Sequence, residues 1–426
     1  MLHSVQNDKW QAQRSDARGD MTMEKSEYLQ PVTQAIDANR EELVDISLDI
    51  HSHPELNFQE HHAAKLLADT LEQHGFQVER GVGGVETAFR GTLEGGGGDG
   101  PTVALLAEYD ALPEIGHGCG HNLIAISNLG AGLGVQAAMA NLPGRLVVLG
   151  TPAEEGGGGK NRLIDAGVFD DVDISLSSHP SSNLTVFGTE AAIDETWSLA
   201  MVRYRFDFYG KAAHAAVAPE AGINALNAVI HTFNGIDSMR QHLRPDTRIH
   251  GIITDGGTAP NVVPEFASAD FILRSRDRVY LNEIVQKVVA IANGAATMTG
   301  ARLEMPTPNV MYEDVRPNTT LARAVESNAH AISMKVDPLI PGRGGSGAST
   351  DFGNVSHRMP SFAMRFAVAE EPVPGHSRLL TAAAKSPLAQ ESAINTAKAL
   401  AITACDLMTN PALLDAARAE FAERGD

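Results

Sequence analysis

Residues 102–122 read TVALLAEYDALPEIGHGCGHN, and this stretch decides how the chain folds. Within it, TVALLAEYD (102–110) is a short apolar run, which predicts a buried strand. A glycine-rich loop follows, and we predict a helix from about 121 to 140. A buried strand that leads through a loop into a helix is typical of a mostly parallel α/β sheet.

The same alternation continues on both sides of this stretch. Further buried strands are predicted in RLVVLGTPAEE (145–155), DVDISLSSHP (171–180) and PSFAMRFAVAEE (360–371). Apolar residues have helical spacing in 27–50 and 60–74, and a long alanine-rich helix is predicted over 379–408. We therefore expect an α/β fold with a mostly parallel sheet and helices on both of its faces.

Between about 197 and 306 the predicted order changes to strand, helix, strand, strand, helix, strand. This βαββαβ order is typical of a small α+β domain of the ferredoxin-like kind, and α/β features return after it. It therefore looks like an insertion. The expected division is a disordered N-terminal tail (1–23), one domain made of 24–194 and 308–426, and an inserted domain (195–307).

The composition limits the classes of partner. The chain has 426 residues, a formal net charge of −20 and no basic block, so nucleic acid and anionic membranes are not expected as partners. No apolar run approaches the roughly 20 residues needed to span a bilayer. The first residues lack the apolar region of a secretory signal. Two cysteines far apart in sequence cannot form a disulfide scaffold, so a cytoplasmic protein is expected.

Side chains that can bind metal or transfer protons follow the ends of the predicted strands. They are Glu108 and Asp110 after the first strand, Glu154 and Glu155 after the second, His179 after ISLSS, His376 after the last, and Cys119 and His121 in the loop before the helix. Because ligands bind beyond the carboxyl ends of strands in open α/β sheets, we expect these groups to converge.

Thiolate, imidazole and carboxylate are the ligand set of Zn and other divalent transition metals. Cys119 stands just before a predicted helix N-terminus, where the helix dipole favours the thiolate. In the pair Glu154–Glu155, one carboxylate can bind metal while the other acts as general base toward a metal-activated water. From the residues alone, Cys119 could also fill the core or act as a nucleophile with His121 or His117 as its base.

Several motifs together resemble one enzyme family. They are AEYDALPEIGHGCGHN (107–122), TPAEEGGGGK (151–160), SSHP (177–180), GKAAHAAVAPEAGINALNA (210–228), APNVVPE (259–265), GASTDFGNVSH (347–357) and GHS (375–377). As an ordered set, they resemble metallopeptidase family twenty, subfamily D, the amidohydrolase branch of aminoacylase and carboxypeptidase-G-like enzymes. Within this branch they are most similar to the aminobenzoyl-glutamate hydrolases and to dipeptidase-like proteins with the GHNLIA run.

The resemblance implies a zinc-peptidase-like catalytic domain interrupted by a lid domain that also dimerises, so a homodimer is expected. It implies two divalent metal ions per chain, with Zn expected first and Mn, Co or Ni as alternatives. Matched motif by motif, the implied metal ligands are Cys119, His121, Glu155, His179 and His376.

The resemblance also implies roles for residues that do not bind metal. Glu154 would be the general base, and Asp110 would orient a metal ligand. His214, in the lid, would polarise the scissile carbonyl. Asn261 would bind the substrate near its acyl or carboxylate end.

The expected function is that of a metal-dependent hydrolase. Its substrate would be an N-acyl amino acid, an aminobenzoyl-glutamate-like conjugate or a dipeptide, cleaved at an amide bond by metal-activated water. Many members of the branch have Asp, Asp and Glu at the positions of Glu108, Asn122 and Thr350, and these departures fit its aminobenzoyl-glutamate side. The alternatives are an amidase with Cys119 as nucleophile and a non-catalytic peptide-binding relative.

Overall fold

The computed structural model describes residues 27–187, 198–306, 310–337 and 347–424. The predicted N-terminal tail, 1–23, lies outside these ranges, and so do the predicted domain boundaries near 194 and 307. The described residues form two compact units. The first contains 27–187, 318–337 and 359–424, and the second contains 198–306, 310–317 and 347–358.

The strands of the described residues are β1 (Gln77–Arg80), β2 (Phe89–Glu94), β3 (Thr102–Ala107), β4 (Arg145–Gly150), β5 (Ile174–Ser181), β6 (Ala200–Tyr209), β7 (Arg248–Asp255), β8 (Phe266–Ser275), β9 (Arg302–Glu304) and β10 (Ser361–Ala367). The α-helices are α1 (Leu29–Ala38), α2 (Arg40–Ser52), α3 (His61–Gln73), α4 (His121–Gln136), α5 (Gly159–Asp165), α6 (Ala225–Met239), α7 (Arg278–Thr299), α8 (Thr319–Ala331), α9 (Phe352–Ser356), α10 (Arg378–Ala383), α11 (Pro387–Thr409) and α12 (Pro411–Glu423). Among the helices of these described ranges, none combines the length and the apolar character needed to cross a membrane.

The first unit contains a six-stranded sheet in the order β1-β2-β4-β3-β5-β10. Strands β4, β3, β5 and β10 are parallel neighbours, whereas β1 and β2 form an antiparallel pair at one edge. Every residue of β3 is buried, so both faces of this strand are covered. A strand buried on both faces needs a continuous apolar sequence, which explains why TVALLA does not alternate. The predicted mostly parallel α/β sheet is confirmed.

Helix α4 follows β3 and is buried along nearly its whole length. It has glycines where other helices approach closely. A Cβ on Gly130 would lie 2.9 Å from Cδ1 of Leu43, and a Cβ on Gly134 would lie 2.6 Å from Cδ1 of Ile36. A larger residue at either position would push these helices apart. The close packing fixes α4, and with it His121 at its first position, against the sheet.

Two predicted helices are each divided in the structure. The segment 27–50 forms α1 and α2, and the segment 379–408 forms α10 and α11. The second break has a clear physical cause. Pro387 at the start of α11 has no N–H to donate, and the hydroxyl of Ser386 caps the new helix by accepting from the N–H of Ala389 at 3.2 Å.

The second unit contains a four-stranded antiparallel sheet in the order β7-β8-β6-β9. Helices α6 and α7 share a core with it, to which they contribute Val229 and Ile284. The chain order βαββαβ and the position of the last strand beside the first confirm the predicted ferredoxin-like arrangement. Strand β7 is an edge strand, and most of its side chains are exposed.

Candidate metal centre

The carboxyl ends of β3, β4, β5 and β10 lie at one edge of the first unit's sheet, because these strands are parallel. Polar side chains come from the segments at these ends: Glu108 and Asp110 after β3, Glu154 and Glu155 after β4, His179 in β5, and His376 after β10. The sequence pattern placed His179 after its strand. In the structure, His179 is instead among the last residues of the strand itself.

The metal-binding groups form two sets of three that share one residue. Cys119, His121 and His179 make the first donor set, and Cys119, Glu155 and His376 make the second. Within each set the donor atoms lie within 4.8 Å of one another. Sγ of Cys119 is 3.5 Å from Nε2 of His179, and Nε2 of His376 is 3.4 Å from Oε1 of Glu155. The structure therefore brings together all five residues that the family resemblance assigned to metal.

Two of these donor atoms are buried without a hydrogen-bond partner among the described residues: Nε2 of His121 and Oε1 of Glu155. They are 3.9 Å apart. A buried polar atom without a partner is costly, and divalent cations held by the two donor sets would satisfy both atoms. The sulfur, nitrogen and oxygen donors fit a divalent transition metal.

Asp110 contacts one ligand of each donor set. It is buried, and its Oδ1 accepts a hydrogen bond from Nδ1 of His121 at 2.9 Å. Its Oδ2 accepts from the backbone N–H of Glu155, also at 2.9 Å. Burial opposes ionisation, but the His121 ring and the Glu155 N–H hold the pKa of Asp110 below its ordinary value. Because the hydrogen of His121 is on Nδ1, its Nε2 is left to face the other donors.

The electrostatics of Cys119 and His179 suit metal ligation better than nucleophilic chemistry. Burial, together with the Glu155 carboxylate, raises the pKa of Cys119 to about 12. Burial and this carboxylate thus oppose the thiolate that the helix N-terminus was expected to favour, and a nearby cation would stabilise the thiolate. Burial lowers the pKa of His179 to about 4, and its Nδ1 donates to the carbonyl of Pro180 at 2.7 Å. The ring is thus neutral, with the Nε2 lone pair directed to Cys119.

Glu154 lies in a turn with an unusual backbone. Ala153, directly before it, has a φ of +61°, which residues with a Cβ rarely adopt. The glycines that follow are needed for space, since a Cβ on Gly159 would lie 1.8 Å from a carbonyl oxygen of the same turn. Glu154 is only 6% exposed, and a carboxylate oxygen lies within 4.8 Å of donor atoms of His121 and Glu155. A carboxylate thus lies beside both donor sets.

Two buried charged residues near the site were not singled out in the sequence. Lys160 is fully buried, and its Nζ is 2.7 Å from Oε1 of Glu108. The other carboxylate oxygen of Glu108, Oε2, is 3.7 Å from Nε2 of His121. Glu60 is also fully buried, and its Oε1 accepts from the N–H of Ala153 at 2.9 Å. Although Lys160 ends the motif TPAEEGGGGK, no local pattern indicates that either residue is buried, because only the tertiary fold brings them to the site.

His214 and Asn261 belong to the second unit, where they are close in space. The N–H of Ala215 donates to the backbone carbonyl of Asn261 at 3.0 Å. The side chain of His214 is exposed, and its Nδ1 accepts from the N–H groups of Ala216 at 3.2 Å and Val217 at 3.3 Å. In the neutral ring the hydrogen is therefore on Nε2, which can act as a donor.

Known proteins resemble this chain over nearly its whole length. The sequence profile of a peptidase dimerisation domain matches residues 200–297. The Xaa-Arg dipeptidase of Mus musculus is 37% identical over 402 residues, which cover 91% of this chain and 90% of that protein. One of the p-aminobenzoyl-glutamate hydrolase subunits of Escherichia coli K12 is 30% identical over 469 residues, which cover 93% of this chain and 95% of that protein.

A solved structure supports the fold. A dinuclear metal-binding peptidase of the M20 family from Bacillus subtilis aligns with a TM-score of 0.67 at 21% identity, covering 88% of this chain and 99% of that one. The likenesses confirm the family resemblance drawn from the motifs and the predicted enzyme class, a metal-dependent hydrolase of amide bonds. On the basis of these similarities, this chain belongs to the M20 family of peptidases.

Proposed function

We propose that this chain hydrolyses the amide bond of a small substrate with a free carboxylate, either an N-acyl amino acid, an aminobenzoyl-glutamate-like conjugate or a dipeptide. One observation carries the proposal: two donor sets share Cys119, and the carboxylate of Glu154 lies beside them. A carboxylate next to bound cations is the arrangement that activates water for attack on a carbonyl.

We propose two divalent cations per chain, one for each donor set, and Cys119 belongs to both sets. Thiolate and imidazole donors favour Zn, and Mn, Co and Ni are the alternatives. The Bacillus subtilis peptidase of similar fold is described as dinuclear, which supports this number. When bound, such cations lower the pKa of water and polarise a carbonyl oxygen.

The chain's own residues divide the remaining tasks. Glu154 takes a proton from the attacking water and passes it to the leaving amine. Asp110 keeps one ligand of each donor set in place. His214 donates from Nε2 to the scissile carbonyl oxygen, where negative charge develops during attack. Asn261, whose backbone is hydrogen-bonded to the residue after His214, binds the substrate.

The two full-length relatives point to substrates with the same end group. One is named for Xaa-Arg dipeptides and the other for p-aminobenzoyl-glutamate, and each of these compounds ends in a free carboxylate. We propose a dipeptide as the first substrate to test, because the dipeptidase shares 37% identity and the aminobenzoyl-glutamate hydrolase 30%. The net charge of −20 also favours the approach of a cationic dipeptide.

We also propose a homodimer formed through the second unit, which would serve as the lid domain. The matching profile is that of a peptidase dimerisation domain. Edge strand β7 has exposed apolar side chains, Ile252 at 65% and Ile253 at 46%. An unpaired edge of this kind readily pairs with a second strand.

A cytoplasmic location is part of the proposal. Cys119 and Cys405 are free thiols, and Cys119 would be needed as a metal ligand in the proposed site. A reducing compartment keeps such thiols available, whereas an oxidising one does not.

The test combines elemental analysis with hydrolysis of a panel of dipeptides and acyl amino acids. We expect about two divalent ions per chain, with activity lost on chelation and restored by Zn, Mn or Co. Glu154→Gln should keep the metal content and lower kcat by about 100-fold or more, because the base is lost. Glu86→Gln, which changes an exposed carboxylate of the same unit, should alter neither.

Two outcomes would contradict the proposal. Activity that survives chelation and disappears on thiol alkylation would identify Cys119 as a nucleophile. Metal binding without turnover of any substrate in the panel would favour a non-catalytic peptide-binding protein.

A further inference from the structure

Glu60 stands at the start of helix α3, but its side chain does not cap the helix. The N–H groups of His62 and Ala63, in the first turn of the helix, donate instead to the carboxylate of Glu55 at 2.9 and 3.0 Å. The Glu60 carboxyl group is therefore released from the usual task of an acid at a helix N-terminus. It is fully buried.

Both oxygens of this buried carboxyl group have a partner. Oε1 accepts from the backbone N–H of Ala153 at 2.9 Å, and Oε2 accepts from the hydroxyl of Thr87 at 3.0 Å. The carbonyl of Thr87 accepts in turn from the hydroxyl of Tyr109 at 2.5 Å. Tyr109 directly precedes Asp110, so these bonds connect the start of α3, the Ala153 turn and the segment after β3.

The turn that Glu60 contacts is strained. The φ of +61° at Ala153 persists only if surrounding groups enforce it. The carbonyl of Ala153 accepts from the N–H of Gly157 within the turn at 3.0 Å, whereas its N–H donates to a side chain from another element. Glu154 and Glu155 follow immediately. A rotation at Ala153 would therefore move both of their carboxylates.

We propose that Glu60 is a positioning residue, which holds the strained turn at Ala153 and so orients Glu154 and Glu155 at the metal centre. The inference rests on the function proposed above, since it presupposes the roles of Glu154 and Glu155. Burial raises the pKa of Glu60 to about 7, but the hydrogen bond from Ala153 needs only an acceptor oxygen. An uncharged acceptor can therefore replace the carboxylate.

Three substitutions separate positioning from a general effect on packing. Glu60→Gln keeps an acceptor for the Ala153 N–H, because the Thr87 hydroxyl can accept from the amide NH₂. Glu60→Met has a similar length but offers no oxygen. Ala153→Gly allows a positive φ without strain, so it should compensate in part for the lost acceptor.

The readouts are kcat, KM and binding of Zn by elemental analysis after dialysis at graded Zn concentrations. We expect Glu60→Gln to stay within about twofold of wild type and Glu60→Met to lose at least about tenfold in kcat with little change in KM. Glu60→Met should also weaken the binding of Zn, and the loss should be larger for the ion that Glu155 would hold than for the other ion. Adding Ala153→Gly to Glu60→Met should restore activity by about threefold.

Glu55→Gln is the matched control, because it weakens the cap of the same helix without touching the turn. It should lower Tm and leave kcat unchanged. The inference is overturned if Glu60→Met lowers Tm while kcat, KM and Zn binding match wild type. It is also overturned if Ala153→Gly fails to restore activity.

If Glu60→Met does not fold, Thr87→Val replaces it in the test, because this change removes the partner of Oε2 and leaves Glu60 in place. A kcat loss with unchanged KM supports the inference, and an unchanged kcat overturns it. A wild-type protein without bound metal or amidase activity would overturn the proposed function as well. A wild-type enzyme with both, beside variants that behave like it, would overturn only the role of Glu60.

Discussion

Replacement of Asp110 by Asn should weaken metal binding, because two donors face its two oxygens. The Nδ1–H of His121 and the backbone N–H of Glu155 each donate to one carboxylate oxygen at 2.9 Å. Asn has nearly the same shape but only one acceptor oxygen, and its other terminal group is a donor. Whichever way the amide is turned, one N–H meets another N–H at a buried position.

The size of the effect follows from these contacts. A buried donor left without a partner costs about 1–3 kcal/mol. If this cost falls on the metal-bound state, the dissociation constant rises by about 5- to 150-fold, at about 1.4 kcal/mol per factor of ten. Loss of a group that hydrogen-bonds a metal ligand typically weakens binding or activity by about 10- to 100-fold. We therefore expect a loss of about 30-fold in affinity for Zn.

The assay is a titration of the metal-free protein with Zn in competition with a chromophoric chelator. Both dissociation constants should rise, because Asp110 contacts one ligand of each donor set. Asp171→Asn is the control, since that carboxylate also accepts two hydrogen bonds, from the guanidinium of Arg90 at 3.0 and 2.7 Å, but touches no ligand. Wild-type affinity in Asp110→Asn, or a change confined to Tm, would refute the reasoning.

Two other features give measurable consequences. The pKa of Glu60 is raised to about 7 in the folded protein from an ordinary value of 4.5, so the stabilisation that its proton provides is complete below about pH 4.5 and is lost as the pH rises through about 7. The pKa difference of about 2.5 (7 minus 4.5) corresponds to at most about 3–4 kcal/mol. Tm of Glu60→Gln should therefore fall less than that of wild type between pH 5 and pH 8, and parallel profiles of Tm against pH would contradict this. For the proposed homodimer, Ile252→Lys on β7 should shift sedimentation toward the monomer, whereas Met298→Lys on α7, where the side chain is 71% exposed, should not. A dimer unaffected by Ile252→Lys would exclude the edge-strand interface.

The sheet was predictable because its parallel strands are buried on both faces and therefore appear as short apolar runs. The segment TVALLA is β3 in full, and each of its residues is buried. Strand β1, by contrast, has the sequence QVER, lies at the sheet edge and is largely exposed, so no hydrophobic pattern marks it. The division of the long C-terminal helix depends on one Ser-Pro step, which a search for apolar spacing overlooks.

The clustering of the candidate donor residues was predictable from their motifs and from their places at strand ends, but their environments were not. The helix dipole at Cys119 was a local argument, and burial with the Glu155 carboxylate outweighs it. Glu60 and Lys160 look like ordinary surface residues in the sequence. Their burial is set by residues far along the chain, Ala153 and Glu108, and no local pattern contains that information.

The order of elements along the chain has a consequence for biosynthesis. Strand β10 pairs with β5, Ser361 opposite Ser175, although the whole second unit is encoded between them. A nascent chain that has only reached the second unit therefore exposes the edge of β5 and lacks His376, which completes the second donor set. Contacts so distant in sequence form slowly, and an open strand edge favours association with other chains. We therefore expect metal loading to be a late event in maturation, and chains truncated before β10 should require chaperones to stay out of aggregates.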